Sequence, residues 1–499
     1  MTGLLAVGLG ACSGGGTSGV APGAQAIRVG VDALPAAKGN PFNSVGSPGI
    51  YTLAAIYDPL TFVDQDGSVK PWLATAWKNT SPTTWNFTLR EGVKFSNGEA
   101  LDAQGVADVV NFVKTNAEVS KQAVAGDLRN IVVAKALDPS TVEVSTSVPD
   151  PILPNELTEL YIPAPKALIS QGIQAITNEP VGTGPFKVTN WGANKVALAA
   201  FTGSWRPPKV GTLEIQGLPD PAARLQALQS GQIDMITGVS PDQVSQLTGQ
   251  TKVDVTKGNQ VMSLAFINTK GQTALNDQRV RQALNYAVDK EAMARDLLLG
   301  KGEATGQGAT PRAVGYNPDV APYAHDTTKA KQLLTEAGFP NGFKMTADVV
   351  VGSFPADATI YQLMKRDLAA VGVDVDLRQV TFSAWLQNYL SNKWEAQAFG
   401  LSWNALPTMD GSRAMSNFSC LKKPAFFCDQ PTADLLSQAL TNLDNNTRTK
   451  QLEKVGSAMH DNPPALYLPR QIDIIGLAAA VQGFQNNNRF FPYDKMVKQ

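Results

Sequence analysis

The side chains that most often carry enzyme chemistry are scarce in this 499-residue sequence. It contains three cysteines and two histidines, and each histidine (His325 and His460) lies far in sequence from any cysteine. Neither the Gly-x-Ser-x-Gly motif of serine esterases nor the His-Glu-x-x-His motif of zinc proteases occurs. General acid–base catalysis would therefore rest on carboxylates alone. We therefore expect that the protein is not an enzyme, and in particular that it is not a secreted hydrolase. We also expect that it holds no resident metal ion or cofactor.

Two of the cysteines, Cys420 and Cys428, lie close together in a loop that contains Pro424. A zinc site needs more ligands than this pair supplies, and neither histidine is near. Paired cysteines in an exported protein usually form a disulfide. We predict that Cys420 and Cys428 are bonded to each other.

The third cysteine, Cys12, follows a short apolar run and precedes a Ser/Gly-rich stretch. The apolar run (residues 4–10) is too short to span a bilayer but suits the core of a signal peptide. With Leu9, Gly10 and Ala11 before it, Cys12 resembles the lipidated cysteine of a bacterial lipobox, although no Lys or Arg precedes Leu4. We expect residues 1–26 to be a signal segment and flexible tether. An incidental cysteine in an unstructured N-terminus is the alternative.

Composition limits the kinds of partner that this chain could bind. The 42 basic and 43 acidic residues give a net charge of −1, and no basic cluster stands out. This balance argues against nucleic acid or an anionic lipid surface as the main partner. The chain length predicts two or three domains.

The pattern of apolar residues predicts strands that alternate with helices along most of the chain. Alternating strands are expected at residues 26–31, 85–89 and 141–147, and the helix that begins after Asp102 has apolar residues at helical spacing. Further strands and helices alternate from residue 212 onward, which is typical of α/β layers. They include a helix near residues 243–247, a strand at 253–255, and helices that begin after Asp277 and Asp326. We predict two α/β lobes whose change-over lies near residues 261–268. The C-terminal segment is long enough to return to the first lobe.

Four sequence blocks together carry a resemblance to a known family. They are residues 73–98 with WNFTLREGVKFSNG, residues 180–186 with PVGTGPF, residues 277–293 with VRQALNYAVDK, and residues 330–339 with AKQLLTEAGF. In this order, and followed by PALY at 464–467, the sequence resembles the family 5 extracellular solute-binding proteins. These are the dipeptide- and oligopeptide-binding receptors of ABC importers.

The resemblance implies a type II periplasmic-binding-protein fold, in which two α/β lobes are joined by a hinge and the first lobe carries an added subdomain. Lobe I would comprise residues 27–50, 179–260 and 469–499, the added subdomain residues 51–178, and lobe II residues 261–468. A small solute, preferentially a peptide, would bind between the lobes of a monomer. The closed receptor, anchored at the periplasmic or cell surface through Cys12, would deliver it to an ABC permease.

The same resemblance implies a set of ligand-binding residues. In relatives the segment around residues 402–411 follows a strand and supplies a carboxylate to the ligand ammonium, which here makes Asp410 the candidate; a helix-capping role is the alternative. Trp403 and Asn404 belong to the same segment, and Trp403 could stack on the ligand or pack in the core. The arginine that dipeptide receptors are expected to offer a ligand carboxylate is missing from residues 352–357. Arg312 or Arg413 could substitute for it; a longer peptide bound mainly through its backbone, or a non-peptide solute, is the alternative.

On the first lobe, the resemblance places Phe42 and Tyr51 in a loop that borders the cleft, although core packing would explain both equally well. Gly184 lies in a tight turn into a strand that should also border the cleft. The sequence does not choose among peptides, nickel complexes, opines and oligosaccharides as ligand. A lipoprotein that has lost transport and regulates the envelope is a further alternative.

Overall fold

The computed structural model describes residues 25–43, 47–271 and 273–499. The signal segment, Cys12 and most of the predicted tether therefore lie outside the described residues. Nineteen strands are present in the described part: β1 (Ala26–Val31), β2 (Thr61–Val63), β3 (Val69–Pro71), β4 (Ala74–Ser81), β5 (Thr84–Leu89), β6 (Ile131–Asp138), β7 (Thr141–Thr146), β8 (Phe186–Trp191), β9 (Lys195–Ala200), β10 (Thr212–Gly217), β11 (Met235–Ile236), β12 (Thr251–Phe266), β13 (Phe343–Val349), β14 (Val373–Gln379), β15 (Ala398–Gly400), β16 (Trp403–Asn404), β17 (Ala465–Ala478), β18 (Val481–Gln482) and β19 (Val497–Lys498).

Fifteen α-helices accompany these strands over the same described ranges: α1 (Ser47–Leu53), α2 (Ala103–Thr115), α3 (Ala123–Asp127), α4 (Leu153–Glu156), α5 (Pro165–Gln171), α6 (Ile173–Asn178), α7 (Pro221–Gln229), α8 (Gln278–Ala287), α9 (Lys290–Leu297), α10 (Thr327–Glu336), α11 (Asp357–Ala369), α12 (Phe382–Ser391), α13 (Gly411–Asn417), α14 (Gln430–Leu440) and α15 (Asn445–Asp461). None of the helices in the described part of the chain is both long enough and apolar enough to cross a membrane.

One mixed sheet of eleven strands runs through the molecule in the order β14-β13-β15-β12-β17-β11-β1-β10-β9-β8, with β16 paired to β12. Its two halves meet at β12 and β17, which are antiparallel and pair from Thr251 with Ala478 to Ala265 with Ala465. The predicted lobe boundaries at residues 260/261 and 468/469 fall within these two strands. The lobe limits themselves stay predictions.

A separate four-stranded sheet, β4-β5-β7-β6, packs on α2. The sequence explains this helix: the Asp102 side chain accepts a hydrogen bond from the Gly105 N–H at 2.8 Å, which caps the helix. Val106, Val110 and Val113 then lie on one buried face. The result is a second hydrophobic core, apart from the large sheet.

Several predicted elements differ in extent. The long helix expected after Asp277, with apolar residues from Val280 to Val288 on one face, ends earlier, at Ala287. Val288 is extended, and the Asp289 side chain accepts from the Ala292 N–H and so caps a second helix, α9. The predicted strand near residues 253–255 is part of the longer β12, and the helix near 243–247 is a 3-10 turn over Pro241–Gln246.

The loop between α13 and α14 contains the predicted disulfide, since Cys420 and Cys428 are bonded with an S–S distance of 2.04 Å. The bond closes a short loop of eight sequence positions. The prediction of this pair from the sequence is confirmed.

Candidate functional site

A cavity of about 330 Å³ lies where the four-stranded-sheet region, the C-terminal loop and the segment before α13 meet. Its volume is at the lower end of the usual range for small-molecule sites. We call it the cleft cavity. Its wall is formed by apolar and aromatic side chains together with amide-bearing and charged ones. The lining residues are Ile50, Pro59, Phe62, Val63, Ala123, Asp127, Thr158, Glu159, Tyr161, Gln260, Asn404, Leu406, Pro407, Arg413, Asn487, Asn488, Arg489 and Phe490.

Three charged side chains meet in this cavity and form what we call the ion triad: Asp127, Glu159 and Arg413. Asp127 ends α3, Glu159 lies just after α4, and Arg413 is in the first turn of α13. The Arg413 guanidinium donates to Glu159 Oε1 at 2.5 Å and also to Asp127 Oδ1. One arginine from the second half of the chain therefore links two carboxylates from the first half.

The ion triad contains two carboxyl groups and one guanidinium, so it carries a net negative charge only when both carboxyls are ionised. Burial raises the pKa of the Glu159 carboxyl to about 8, and the neighbouring Glu156 carboxylate adds to this effect. The Arg413 guanidinium acts in the opposite direction, because an adjacent cation favours the ionised carboxylate. Burial also lowers the pKa of Arg413. A further cation in the cavity would relieve the cost of keeping both carboxylates ionised.

Aromatic side chains form another part of the cavity wall. Phe62 meets Phe490 edge-on with ring centroids 4.8 Å apart, and Trp72 stacks behind Phe62 at the same distance. The Trp72 indole N–H donates to Asp58 Oδ1 at 2.7 Å, which fixes this ring. The wall is thus a rigid apolar surface that a ligand could lie against.

The C-terminal loop at residues 485–490 contributes the amide part of the wall. Asn488 donates through Nδ2 to the Asp64 carbonyl at 2.9 Å, which ties the loop to the β2–β3 turn. Arg489 pairs with Asp473 on β17 at 3.0 Å and donates to Gln260 Oε1 at 3.2 Å. The charge of Arg489 is therefore already matched by a carboxylate outside the lining.

The two sides of the cavity also touch outside the ion triad. Asn155 Nδ2 donates to the Thr408 carbonyl at 2.7 Å, and Arg312 donates to the Gln65 carbonyl at 3.1 Å. Val63 packs with Leu406 and Met409 in a small apolar cluster. The described conformation is thus one in which the walls are closed against each other.

Asp410, the predicted partner of a ligand ammonium, pairs with an arginine of the same chain. Its side chain is 1% exposed, and both oxygens accept from Arg448, at 2.6 and 2.9 Å. It also caps α13 by accepting from the Ser412 N–H at 2.9 Å. Ligand contact by Asp410 stays a prediction that this geometry disfavours, since a carboxylate already neutralised by a buried arginine has little to offer a second cation. The capping alternative accounts for it.

The two residues predicted beside Asp410 have separate positions. Trp403 is 2% exposed and stacks on Phe418 with centroids 3.9 Å apart, so it packs in the core beneath the site. Asn404 lines the cleft cavity and accepts from the Leu406 N–H at 2.9 Å. Of this segment, the structure brings Asn404 into the cavity.

The first-lobe candidates also pack beside the cavity rather than in its lining. Phe42 is fully buried in the core of the four-stranded-sheet region, and Tyr51 stacks on Phe491 at 4.8 Å. Gly184 lies so close to the backbone of Ile56 that an added Cβ would stand 2.6 Å from its carbonyl carbon. None of the three is among the lining residues of the cavity.

The two arginines considered for a ligand carboxylate lie in different places. Arg413 lines the cavity, whereas Arg312 does not and donates to backbone carbonyls instead. Neither His325 nor His460 lines the cavity, and within the described ranges no three His, Cys, Asp or Glu side chains are grouped to hold a metal ion.

Sequence reasoning did not identify Asp127, Glu159, Arg489 or the aromatic pair of Phe62 and Phe490. Asp127 and Glu159 lie 286 and 254 positions from Arg413, so no local spacing signals their meeting. A run of three asparagines at 486–488 was the one local signal for the C-terminal loop.

Comparison with known proteins places this geometry in context. The model of the bacterial extracellular solute-binding proteins, family 5 (middle), matches residues 68–423. The nickel-binding periplasmic protein of Escherichia coli (strain K12) is 27% identical over 456 residues and covers 84% of each chain. The glutathione-binding protein GsiB of the same strain is 26% identical over 414 residues, which is 79% of each chain.

Solved structures show the same fold. The periplasmic binding protein DppA from Helicobacter pylori, in complex with the peptide STSA, superposes with a TM-score of 0.80 at 23% identity and covers 95% of this chain and 98% of that one. NikA from Staphylococcus aureus, in complex with Ni(L-His)2, gives 0.77 at 18% identity over 95% and 100%. The predicted type II periplasmic-binding-protein fold is confirmed.

Proposed function

The chain belongs to the bacterial extracellular solute-binding proteins of family 5, and from this premise we propose that it captures a small peptide-like solute in the cleft cavity and releases it to an ABC permease. We further propose that the lobes open for entry and close around the ligand. Membrane anchoring through Cys12, the lobe limits stated above and a monomeric state belong to the same proposal. No catalytic step is part of it.

The observation that carries the proposal is the cavity whose wall is built from both halves of the chain. Asn404 and Arg413 come from one side, and Glu159 and Phe62 from the other. A solute that contacts both sides is bound fully only when they close, so its binding shifts an open–closed equilibrium.

The lining favours a peptide-like solute over a bare metal complex. It offers charged groups of both signs, several amides and an aromatic wall, which suit the ionic ends, the backbone and a side chain of a short peptide. Relatives named above bind glutathione, a peptide or nickel. Direct ligation of nickel by this chain has no support from the lining, because neither histidine and no cysteine is among the cavity residues.

The cavity volume favours a short ligand. About 330 Å³ lies at the lower end of the range of small-molecule sites, which is about 300–1,000 Å³. We expect a di- or tripeptide-sized solute bound with micromolar affinity, which is about −8 kcal/mol.

A thermal-shift screen of short peptides, nickel–histidine complexes, opines and oligosaccharides tests this function, because a ligand of the native state raises the melting temperature by mass action. Hits are then measured by calorimetry and by small-angle scattering. We expect a short peptide to raise the melting temperature and to leave a compact envelope, with a more extended one for the free protein. Stabilisation by sugars or nickel complexes alone would refute the peptide assignment.

A further inference from the structure

The charge of the cleft cavity points to the class of solute it accepts. Resting on the proposed function, we propose that the ligand carries a net positive charge and that its cationic group binds between Asp127 and Glu159, beside Arg413. A peptide with a lysine or arginine side chain is the simplest solute of this class.

The first step of the argument is the charge balance. The ion triad has two carboxylates and one guanidinium, and Arg489 is matched by Asp473 at 3.0 Å. With both carboxyls of the ion triad ionised, the charged groups of the lining and the direct partner Asp473 therefore leave one carboxylate without an ion-pair partner of its own among the described residues. A solute with one excess positive charge neutralises the site, whereas an anionic one adds a second uncompensated charge.

The second step is the hydrogen-bonding capacity that the ion triad leaves unused. Arg413 engages Asp127 through Oδ1 and Glu159 through Oε1. No hydrogen bond from the described residues reaches Asp127 Oδ2 or Glu159 Oε2. A carboxylate oxygen can accept more than one hydrogen bond, and an ammonium supplies three donors. A ligand cation would thus complete an alternating arrangement of two carboxylates and two cations.

The third step is partial burial. The side chains of Asp127 and Glu159 are 14% and 18% exposed, and Arg413 is 30% exposed. An uncompensated carboxylate in such a site pays a larger desolvation cost than one at the surface, and a charged hydrogen-bond partner offsets it. The nearby rings of Phe62 and Tyr161 add a favourable surface for the apolar part of a lysine or arginine side chain.

Asp127 and Glu159 are different carboxylates from Asp410, which the family resemblance predicted to bind the ligand ammonium. That residue does not line the cavity and is neutralised by Arg448. The cation site is built instead by the region of α3 and α4, so specificity for charge would come from the part of the chain that precedes β8.

The test is a competition among short peptides. Purified full-length protein is dialysed to equilibrium against a mixture of all natural di- and tripeptides, and the peptides retained in excess on the protein side are identified by mass spectrometry. We expect peptides with one net positive charge to be enriched about tenfold or more over neutral peptides. Retention dominated by neutral or acidic peptides would overturn the inference and leave peptide binding intact. Retention of no peptide would overturn the proposed function and this inference with it.

The retained peptide then serves in a matched calorimetric comparison. Replacing its lysine by acetyl-lysine removes the charge while keeping the chain length, and we expect at least a tenfold weaker Kd. Asp127→Asn should weaken binding of the lysine peptide to a similar extent. It should also reduce the difference in Kd between the lysine peptide and the acetyl-lysine peptide. Asp242→Asn, at a carboxylate outside the cavity lining, is the control and should leave both affinities unchanged. Equal Kd values for the two peptides would contradict the cation site without involving any protein variant.

Discussion

Replacing Arg413 by glutamine tests whether the ion triad holds the two sides of the cavity together. The substitution removes the charge while keeping a polar side chain, and it leaves Asp127 and Glu159 facing each other in a partly buried site. Removing one partner of a fully buried ion pair costs about 3–5 kcal/mol, whereas exposed pairs contribute about 0–1 kcal/mol. Exposures of 14–30% lie between these limits. We expect a loss of about 2 kcal/mol in the free energy of unfolding.

Denaturant unfolding of four proteins measures this effect: the wild type, Arg413→Gln, Glu159→Gln and the double variant. If the two side chains act through their mutual contact, the double variant should be less destabilised than the sum of the single ones by about 1 kcal/mol or more. Strictly additive losses would show that the Arg413–Glu159 pair contributes no coupling energy. That result would refute the reasoning from the ion triad.

The same variant should also change the closed state. Because Arg413 links segments from the two halves of the chain in the closed conformation, Arg413→Gln should give a larger radius of gyration than the wild type in small-angle scattering when both proteins are measured with the same peptide present. Lys422→Gln provides a control, since this lysine donates to carbonyls within the second half, on Tyr389 and Pro424. An unchanged radius for Arg413→Gln would mean that other contacts suffice for closure.

Two other predictions concern stability away from the cavity. Burial lowers the pKa of Lys290 to about 7, so between pH 7 and 9 the unfolded chain binds more protons and the free energy of unfolding should rise with pH, by about 2 kcal/mol from this group. Lys290→Met should remove that part of the rise in pH-dependent denaturant titrations, and an unchanged slope would contradict the buried, shifted lysine. Gly184→Ala should cost about 2 kcal/mol or more, because the new Cβ meets the Ile56 backbone at 2.6 Å. The same change at Gly126, where nothing lies within 4 Å, should be near neutral, and equal melting temperatures for the two variants would refute the close approach.

Much of the fold could be predicted because its signals are local. Asp102, Asp277 and Asp326 each accept a backbone hydrogen bond as helix caps where the sequence predicted helices to begin. The break between α8 and α9 was missed because Asp289 caps a second helix inside a continuous apolar pattern. A side chain that competes for backbone donors can outweigh periodicity over a few residues.

The site was harder to predict because its contacts are remote in sequence. Asp410 was expected to meet a ligand ammonium, yet Arg448 on α15 supplies the cation from within the chain. Arg413 was one of two candidates for a ligand carboxylate, and its own carboxylate partners come from α3 and the segment after α4. Family resemblance locates the region of a site, but the pairing of buried charges depends on side chains that no local pattern connects.

The long pairing of β12 with β17 has a mechanical consequence. The register between the two strands shifts between Lys257 and Val261, and again before Ser263. Each shift interrupts the ladder of backbone hydrogen bonds, so a two-stranded ribbon bends there more easily than along its regular stretches. Rotation of one half of the molecule against the other would concentrate at these few residues, and each half would travel as a stiff unit. A permease could then distinguish the ligand-bound from the free protein by the angle between the two halves, although the surface of each half stays the same.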